Sequence, residues 1–344
     1  MILFLSVTIF VFFVNSNGAE LRRVIVDVDA GADDAWAIFA LLRSEQKFNI
    51  KVEAVVCSYG NADVSNVSQN VLRLLTALNR TDVPIYLGSS ERLISELYVN
   101  QDTFYGTDGF SDIPFDPNTI NLASIKTEHA VIFLHKIFSE NPNQIALMTL
   151  GPLTNTALLF KMYPTVVDKI KSLHIMGGNR NGVGNVKFFN AEFNFYSDPE
   201  AANIVLSKFQ KTITILPWET NLRSNLVFSK DWRFNVIGQS TNSNFTEVVK
   251  LLNNVESKAF ENYTDWLPCD LFVASIFIQP EMISETSEFS ASVELSGRRS
   301  RGQLMLDHSN SDAEGIKNLK IVDNLDVEKF KNLLEFIVGI NDSV

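Results

Sequence analysis

The 344-residue chain contains little cysteine and few basic residues. Its two cysteines, Cys57 and Cys269, are too few for a disulfide framework. Both lie in apolar segments, so we expect free thiols, with a single bridge as the alternative. The 29 lysines and arginines are outnumbered by 40 acidic residues, which gives a formal net charge of −11. Binding a nucleic-acid polymer requires clustered basic residues, so we expect no such partner.

Long apolar runs are absent after the N-terminus. Residues 2–14 are apolar and uncharged but too few to span a bilayer, and small and polar residues follow them. We therefore predict a signal peptide over residues 1–18, a single domain over residues 19–344, and a secreted, extracellular protein with no membrane partner. An uncleaved N-terminal anchor is the alternative. The sequence also contains five N-x-[ST] sequons as glycosylation candidates: Asn66, Asn79, Asn244, Asn262 and Asn341.

Strand-like and helix-like segments alternate along the chain, beginning with a strand at residues 23–28 and a helix at residues 34–42. This alternation predicts a single α/β domain with a mainly parallel sheet flanked by helices, an open Rossmann-like fold. Open sheets of this type bind ligands outside the carboxyl ends of their strands. Residues with chemical roles are therefore expected directly after each strand.

Four aspartates follow the first predicted strand, in VIVDVDAGADDAWAIF: Asp27, Asp29, Asp33 and Asp34. Such closely spaced carboxylates repel one another unless a cation or another ligand compensates them. Helix capping accounts for one or two of them, but not for four. The spacing does not fit an EF-hand loop. A phosphatase with an aspartate nucleophile would use only the first pair. The pattern favours a hard cation.

Later strand ends carry further polar groups. Asn61 follows the second strand, and the carbonyl of Leu150 precedes Gly151 and Pro152. Glu192 and Asn194 flank Phe193 in a predicted loop, and Asp270 precedes an apolar helix. Taken singly, Asn61 suits an ordinary turn and Asp270 suits a helix cap.

Taken together, these segments resemble the inosine–uridine nucleoside hydrolase family. The similar motifs are D-V-D-A-G-A-D-D, G-P-L-T-N from Gly151, M-G-G from Met176, and A-E-F-N with D-P-E-A-A from Ala191. The resemblance implies a Ca²⁺ ion held by the side chains of Asp29, Asp34 and Asp270 and by the carbonyl of Leu150. It makes Asp29 the general base on a bound water and places Asp27 behind the ligands. The ribose would be held by five residues: Asp33, Asn61, Asn185, Glu192 and Asn194.

The implied activity is Ca²⁺-dependent hydrolysis of the N-glycosidic bond of ribonucleosides to free base and ribose, with purine nucleosides such as inosine preferred. Relatives are dimers or tetramers, so a homo-oligomer is expected. A catalytically weak secreted protein that binds Ca²⁺ and nucleosides is the alternative. It is favoured by Cys269, which occupies a position where one subgroup has a histidine as leaving-group acid. Five aromatic residues are candidates for stacking on the base: Tyr105, Phe188, Phe189, Trp218 and Trp266.

Overall fold

Strands and helices alternate in the computed structural model, which describes residues 20–94, 104–240, 242–309 and 317–341. The predicted signal peptide lies outside the described residues. The strands are β1 (Arg22–Val28), β2 (Ile50–Cys57), β3 (Ile85–Leu87), β4 (Ile125–Lys126), β5 (Ile145–Thr149), β6 (Leu173–Met176), β7 (Ile213–Leu216), β8 (Phe228–Ser229), β9 (Asp265–Trp266), β10 (Ile283–Phe289), β11 (Ala291–Val293), β12 (Leu304–Leu306) and β13 (Leu319–Leu325). The helices are α1 (Ala32–Ser44), α2 (Val64–Ala77), α3 (Ala130–Glu140), α4 (Thr154–Met162), α5 (Phe193–Ser197), α6 (Pro199–Lys208), α7 (Trp218–Asn221), α8 (Lys230–Asn235), α9 (Thr246–Ala259), α10 (Cys269–Ile278) and α11 (Val327–Ile337).

Nine of the strands form one sheet in the order β10-β13-β7-β6-β5-β1-β2-β3-β4. Every neighbouring pair is parallel except β10 with β13, which is antiparallel at the edge. The predicted α/β domain with a mainly parallel sheet is therefore confirmed. The sequence analysis did not predict β10 as a strand, because its side chains are mostly exposed and lack the apolar run of a central strand.

The chain reverses its direction of travel across the sheet at β1. It moves from β1 to β2 on one side, and later returns to add β5 on the other side of β1. At such a reversal the loops after neighbouring strands diverge and leave a crevice at the carboxyl ends. The segments after β1, β2, β5 and β6 therefore meet around one opening.

Alternate residues of β1 contribute to two apolar cores, one on each face of the sheet. Val24 and Val26 pack in the core that contains α1 and α10, and Ile25 packs in the core that contains α3, α4 and α6. Helix α10 is buried at all ten of its positions, as expected for a helix that is apolar on every side. Burial of α10 fixes the position of Asp270 in its first turn. No helix in the described ranges is long and apolar enough to cross a bilayer.

The segment that carries Glu192 and Asn194 differs from the predicted loop. Residues 193–197 form the short helix α5, with Glu192 as its N-cap and Asn194 inside it. The Glu192 carboxylate accepts hydrogen bonds from the backbone N–H groups of Asn194 and Phe195. A helix of one turn is too short to show a helical repeat of apolar residues, so the sequence pattern does not predict it. The N-cap hydrogen bonds of Glu192 stabilise this turn instead.

Candidate active site

Asp29 lies at the carboxyl end of β1 and is 1% exposed. Its two carboxylate oxygens accept hydrogen bonds of 3.0 Å from the backbone N–H and the side-chain amide of Asn61. Glycines flank it on both sides, since a Cβ atom on Gly60 would lie 1.9 Å from Oδ2 of Asp29 and one on Gly151 would lie 2.9 Å from its Cβ. The turns after β2 and β5 therefore require glycine at these two positions, because the Asp29 side chain occupies the space that a larger side chain would need.

Three further carboxylates converge next to Asp29. One oxygen from each of Asp33, Asp34 and Asp270 lies within 4.8 Å of the others. Asp34 accepts a 2.9 Å hydrogen bond from the backbone N–H of Gly31 through Oδ2, while its Oδ1 and Oδ1 of Asp33 have no partner among the described residues. We call Asp29, Asp33, Asp34 and Asp270 the acidic floor. They come from the end of β1, the start of α1 and the first turn of α10, and the last of these is remote in sequence from the other two.

Burial makes the charged form of these carboxyl groups unfavourable. Burial first, and the neighbouring carboxylates in addition, raise the pKa of Asp29 to about 8 and that of Asp33 to about 7. The pKa values of Asp34 and Asp270 lie well above the usual range of an aspartate, first because of burial and then because of the adjacent carboxylates. A bound cation would reverse these shifts and hold the group ionised.

The donor set of the acidic floor fits a hard divalent cation, because all its ligand atoms are oxygens and two buried ones are unpartnered. The backbone carbonyl of Leu150 accepts a 2.7 Å hydrogen bond from the Asn194 amide, and a carbonyl oxygen retains a second lone pair. Asp29, Asp34, Asp270 and this carbonyl would hold the ion. Asp33, which the resemblance assigns to the ribose, lies in the tightest carboxylate group.

Asp27 lies beneath the acidic floor. Its carboxylate accepts a 2.9 Å hydrogen bond from the side-chain amide of Asn155, which also receives the backbone N–H of Ser89 on its oxygen at 2.8 Å. Burial raises the pKa of Asp27 to about 8. Asn155 was not selected from the sequence as a site residue, although it is the last residue of the G-P-L-T-N motif. It joins the end of strand β1 to the turn after β3.

A cavity of about 460 Å³ opens above the acidic floor. Its polar side is formed by Asn61, Asn185, Glu192 and Asn194 together with Asp29, Asp33 and Asp270. The Glu192 carboxylate is fixed by the backbone N–H groups of Gly178 at 2.8 Å, Asn194 at 2.8 Å and Phe195 at 3.1 Å. Burial nevertheless raises the pKa of Glu192 to about 7. The structure thus brings the residues predicted for the ribose to one side of one cavity.

Aromatic side chains line another part of this cavity. The aromatic wall consists of Phe104, Tyr105, Phe260 and Tyr263. The Phe104 ring lies edge-on to the other three, at centroid distances of 4.8 Å to Tyr105, 5.2 Å to Phe260 and 5.4 Å to Tyr263. Tyr105 also donates a side-chain hydrogen bond to Asp33. Phe104, Phe260 and Tyr263 were not predicted as site residues, because nothing in the local sequence pattern separates them from core aromatics.

Three predicted base-stacking residues do not line the cavity. Trp266 is 1% exposed and its indole N–H donates to Glu256 at 2.7 Å, so the prediction for Trp266 is wrong. Phe188 is 76% exposed beside Lys187, and Phe189 packs against Tyr196. Trp218 and Tyr105 do line the cavity.

Cys269 lines the cavity next to Asp270 and is 6% exposed. Its thiol contacts the carbonyl of Leu267 at 3.6 Å, and burial raises its pKa well above the ordinary value of a cysteine. Cys57 is also buried, and both thiols are free, as predicted. A thiol in this state stays protonated and is a poor acid for a leaving group.

Known proteins resemble this chain over nearly its whole length. Residues 24–332 match the family described as inosine-uridine preferring nucleoside hydrolase. The chain is 30% identical to the pyrimidine-specific ribonucleoside hydrolase RihA of Enterobacter sp. (strain 638), over 90% of this chain and 96% of that protein. It is 32% identical to the RihA protein of Escherichia coli O9:H4 (strain HS), over 83% of this chain and 88% of that protein.

Solved structures agree with this assignment. The fold matches an inosine-guanosine nucleoside hydrolase with a TM-score of 0.81 at 25% identity, covering 93% of this chain and 99% of that one. It matches the plant nucleoside hydrolase PpNRh1 with a TM-score of 0.80 at 27% identity and the same coverage. The fold and the site define a nucleoside hydrolase, an enzyme that cleaves N-ribosyl bonds. The chain belongs to the inosine–uridine preferring nucleoside hydrolase family.

Proposed function

We propose that this protein is a secreted, Ca²⁺-dependent hydrolase that releases free base and ribose from purine nucleosides such as inosine. The observation that carries the proposal is the convergence of Asp29, Asp33, Asp34 and Asp270 at the floor of a cavity that is large enough for a small ligand. The Ca²⁺ part rests on the oxygen-only donor set described above.

The two parts of the cavity suit the two parts of a nucleoside. Asn61, Asn185 and Asn194 offer amide donors and acceptors for ribose hydroxyls, and Glu192 and Asp33 offer carboxylate acceptors. N-glycoside cleavage passes through an oxocarbenium-like sugar, whose positive charge buried carboxylates stabilise. The aromatic wall offers ring faces and edges for the departing base.

In this proposal Asp29 accepts a proton from the attacking water. Asn61 fixes its orientation through two hydrogen bonds, and the side chain borders the cavity. A general base must be ionised, and with its pKa raised to about 8 by burial, Asp29 is partly protonated at neutral pH unless a cation lowers that value. When bound, Ca²⁺ would supply the positive charge that ionises the carboxylates and orients the water.

The purine preference rests on the leaving group. No histidine is among the described residues that line the cavity, and the Cys269 thiol is held protonated by burial, so base departure receives little acid assistance from these groups. Pyrimidines require more protonation to leave, while a purine offers a larger ring to the aromatic wall. The curated relatives named above are pyrimidine-specific and the solved ones include an inosine-guanosine enzyme. A measurement of the base preference therefore tests the purine part of the proposal directly.

Secretion, glycosylation and oligomerisation are separate parts of the proposal. The N-terminal apolar run supports secretion, and three sequons have exposed asparagines, at Asn79, Asn244 and Asn262. Expression in a eukaryotic secretory host should deliver the protein to the medium without residues 1–18, with a mass that falls on enzymatic deglycosylation. Retention in the membrane fraction would favour the uncleaved anchor.

The proposed homo-oligomer is tested by light scattering on the purified protein, which should give the mass of a dimer or tetramer. A monomer mass would contradict the proposed homo-oligomer.

The deciding experiment is ribose release from inosine, adenosine, guanosine, uridine and cytidine by the purified protein. Each nucleoside is tested with excess Ca²⁺, after chelation, and with the Asp29→Ala variant. Release from purines that stops on chelation and in the variant would support the whole proposal. Faster release from uridine or cytidine would replace the purine preference and leave the hydrolase in place.

A nucleoside-binding protein with weak catalysis is the second candidate, and the protonated Cys269 thiol favours it. Calorimetry separates the two. Binding of inosine to the Ca²⁺-loaded protein without release of ribose would support the binding protein and contradict the enzyme.

A further inference from the structure

Glu219 fixes a glycine-containing loop at the edge of the cavity. It lies in α7, directly after Trp218, which lines the cavity. One oxygen of its carboxylate accepts a 2.6 Å hydrogen bond from the backbone N–H of Arg180. The other oxygen accepts from the backbone N–H groups of Asn181 at 2.7 Å and Val183 at 3.1 Å. A single side chain thus binds three N–H groups of one loop.

This loop, residues 178–185, connects two parts of the ribose side of the cavity. At its start, the backbone N–H of Gly178 donates to Glu192, and its carbonyl accepts a 3.0 Å hydrogen bond from the backbone N–H of Trp218. At its end, Asn185 lines the cavity and accepts a 2.8 Å hydrogen bond from the backbone N–H of Phe193. The loop therefore begins with a hydrogen bond to Glu192 and ends at Asn185, and both of these residues line the cavity.

The loop needs an external anchor because its own sequence does not specify a conformation. Gly182, at its centre, has a φ of +74°, and residues 178–185 contain neither a helix nor a strand. Glycines give a chain conformational freedom that must be lost when a ligand is held in place. Hydrogen bonds to a carboxylate are stronger than those between neutral groups, so Glu219 is well suited to remove that freedom.

We infer that Glu219 is a positioning residue, which holds Asn185 and Trp218 at the cavity by fixing residues 178–185. Glu219 is not among the cavity-lining residues and is not part of the acidic floor. Its effect must pass through the loop. The inference rests on the proposed function, because it assigns Asn185 to substrate binding.

Replacement of Glu219 should therefore weaken substrate binding more than chemistry. In Glu219→Ala we expect KM to rise about tenfold while kcat stays within about threefold, since the acidic floor keeps its contacts. Glu219→Gln keeps one oxygen acceptor in place of two and should give an intermediate KM. A general loss of folding would instead lower the active fraction, and with it kcat, and leave KM unchanged.

A double-mutant cycle tests whether the effect passes through Asn185. If Glu219 acts by placing Asn185, Asn185→Ala and Glu219→Ala should raise KM by less in combination than the product of their separate effects. Asp326→Ala is the matched control. Asp326 is also a carboxylate that accepts two backbone N–H groups, from Glu328 and Lys329, but it caps α11. That variant should lower stability slightly and leave KM unchanged.

Three results would overturn the inference: an unchanged KM in Glu219→Ala, a fall in kcat without a rise in KM, or fully multiplicative effects with Asn185→Ala. Its failure is distinguishable from failure of the proposed function, because turnover by the unmodified enzyme is measured first. If the unmodified protein binds inosine without releasing ribose, the same cycle is carried out on the Kd for inosine by calorimetry. A Kd that is unchanged in Glu219→Ala would then overturn the inference.

Discussion

Two regions of this protein bury carboxylates, and they treat them differently. In one, Glu256 of α9 is 1% exposed and accepts hydrogen bonds from the indole N–H groups of Trp36 at 3.2 Å and Trp266 at 2.7 Å. Its other oxygen accepts a 2.7 Å hydrogen bond from the buried guanidinium of Arg233. Both oxygens and the charge of Glu256 are satisfied within the protein.

The acidic floor is not satisfied in this way. Among the residues that the structure describes, no lysine or arginine forms an ion pair with Asp29, Asp33, Asp34 or Asp270. Asp33 and Asp34 each retain an oxygen without a partner in the same set of residues. Buried polar groups in native proteins are nearly always paired. The comparison indicates that a buried carboxylate with both oxygens hydrogen-bonded and its charge paired is structural, whereas buried carboxylates with unpartnered oxygens and no basic partner among the described residues suit a ligand.

The largest expected effect is the loss of catalysis when Asp29 of the acidic floor is replaced. Asp29→Asn keeps the size of the side chain but removes its charge and its ability to accept a proton. We expect kcat for inosine to fall by about 1,000-fold or more. The variant should remain folded, because an amide resembles the protonated acid that burial favours. Circular dichroism provides the control, and retention of more than a tenth of the activity would contradict the assignment of Asp29 as the base.

The next largest effect is the loss of stability when the buried ion pair between Arg233 and Glu256 is broken. Arg233→Met leaves the Glu256 charge buried without its cation, and breaking a buried pair costs about 3–5 kcal/mol of unfolding free energy. Urea denaturation measures this change. The double variant Arg233→Met with Glu256→Gln should recover part of the loss, because it removes the unpaired charge. A loss smaller than about 1 kcal/mol would place this pair with weak surface pairs.

Cation removal should distinguish the two regions directly. A ligand that binds only the folded state and is present at a hundred times its Kd raises the free energy of unfolding by about 2.7 kcal/mol. If Ca²⁺ binds in this way, chelation should lower the unfolding temperature by several degrees. Asp34→Asn should abolish this Ca²⁺-dependent difference, whereas Arg233→Met should keep it on a lower baseline. An equal Ca²⁺ response in wild type and Asp34→Asn would show that the ion binds elsewhere.

The last comparison concerns the pH dependence of stability in the absence of a cation. Without a cation, burial raises the pKa values of Asp27 and Asp29 to about 8 and that of Asp33 to about 7, above the value near 3.8 of an unfolded aspartate. The folded protein then binds more protons than the unfolded chain between about pH 4 and 8, so its stability should fall as pH rises through that range. The proposed Ca²⁺ ion would keep the carboxylates ionised and so flatten the slope. Denaturation curves at pH 5 and 8, with and without chelator, measure it. A chelated protein that is more stable at pH 8 would contradict the unsatisfied state of the acidic floor.

Much of the fold could be predicted because local patterns and tertiary packing agree. The strand predicted at residues 23–28 and the helix predicted at residues 34–42 lie within two residues of β1 and α1. The exceptions are elements whose formation depends on contacts outside their own sequence. Edge strand β10 forms by pairing with β13, and α5 depends on the capping carboxylate of Glu192.

The candidate site was only partly predictable, for a related reason. Asp27, Asp29, Asp33 and Asp34 stand out because four acids after an apolar strand are unusual, and the resemblance gave roles to Asp270 and Asn185. Phe104, Phe260 and Tyr263 have no such signal. Their role as a wall arises because residues 104–105 and the end of α9 meet at the cavity. Trp266 shows the opposite error, since an aromatic beside site residues points into the core.

The sequence by itself determined the alternation of strands and helices, the acidic clusters and the family, because each depends on residue types at short spacings. Tertiary structure alone decided which carboxylates are satisfied. The distance from Arg233 to Glu256 is 23 positions along the chain, and that from Asp34 to Asp270 is 236, yet both pairs are brought close together by folding. Only the resulting burial and hydrogen bonding show that both oxygens of Glu256 have partners, whereas one oxygen of Asp34 has none among the described residues.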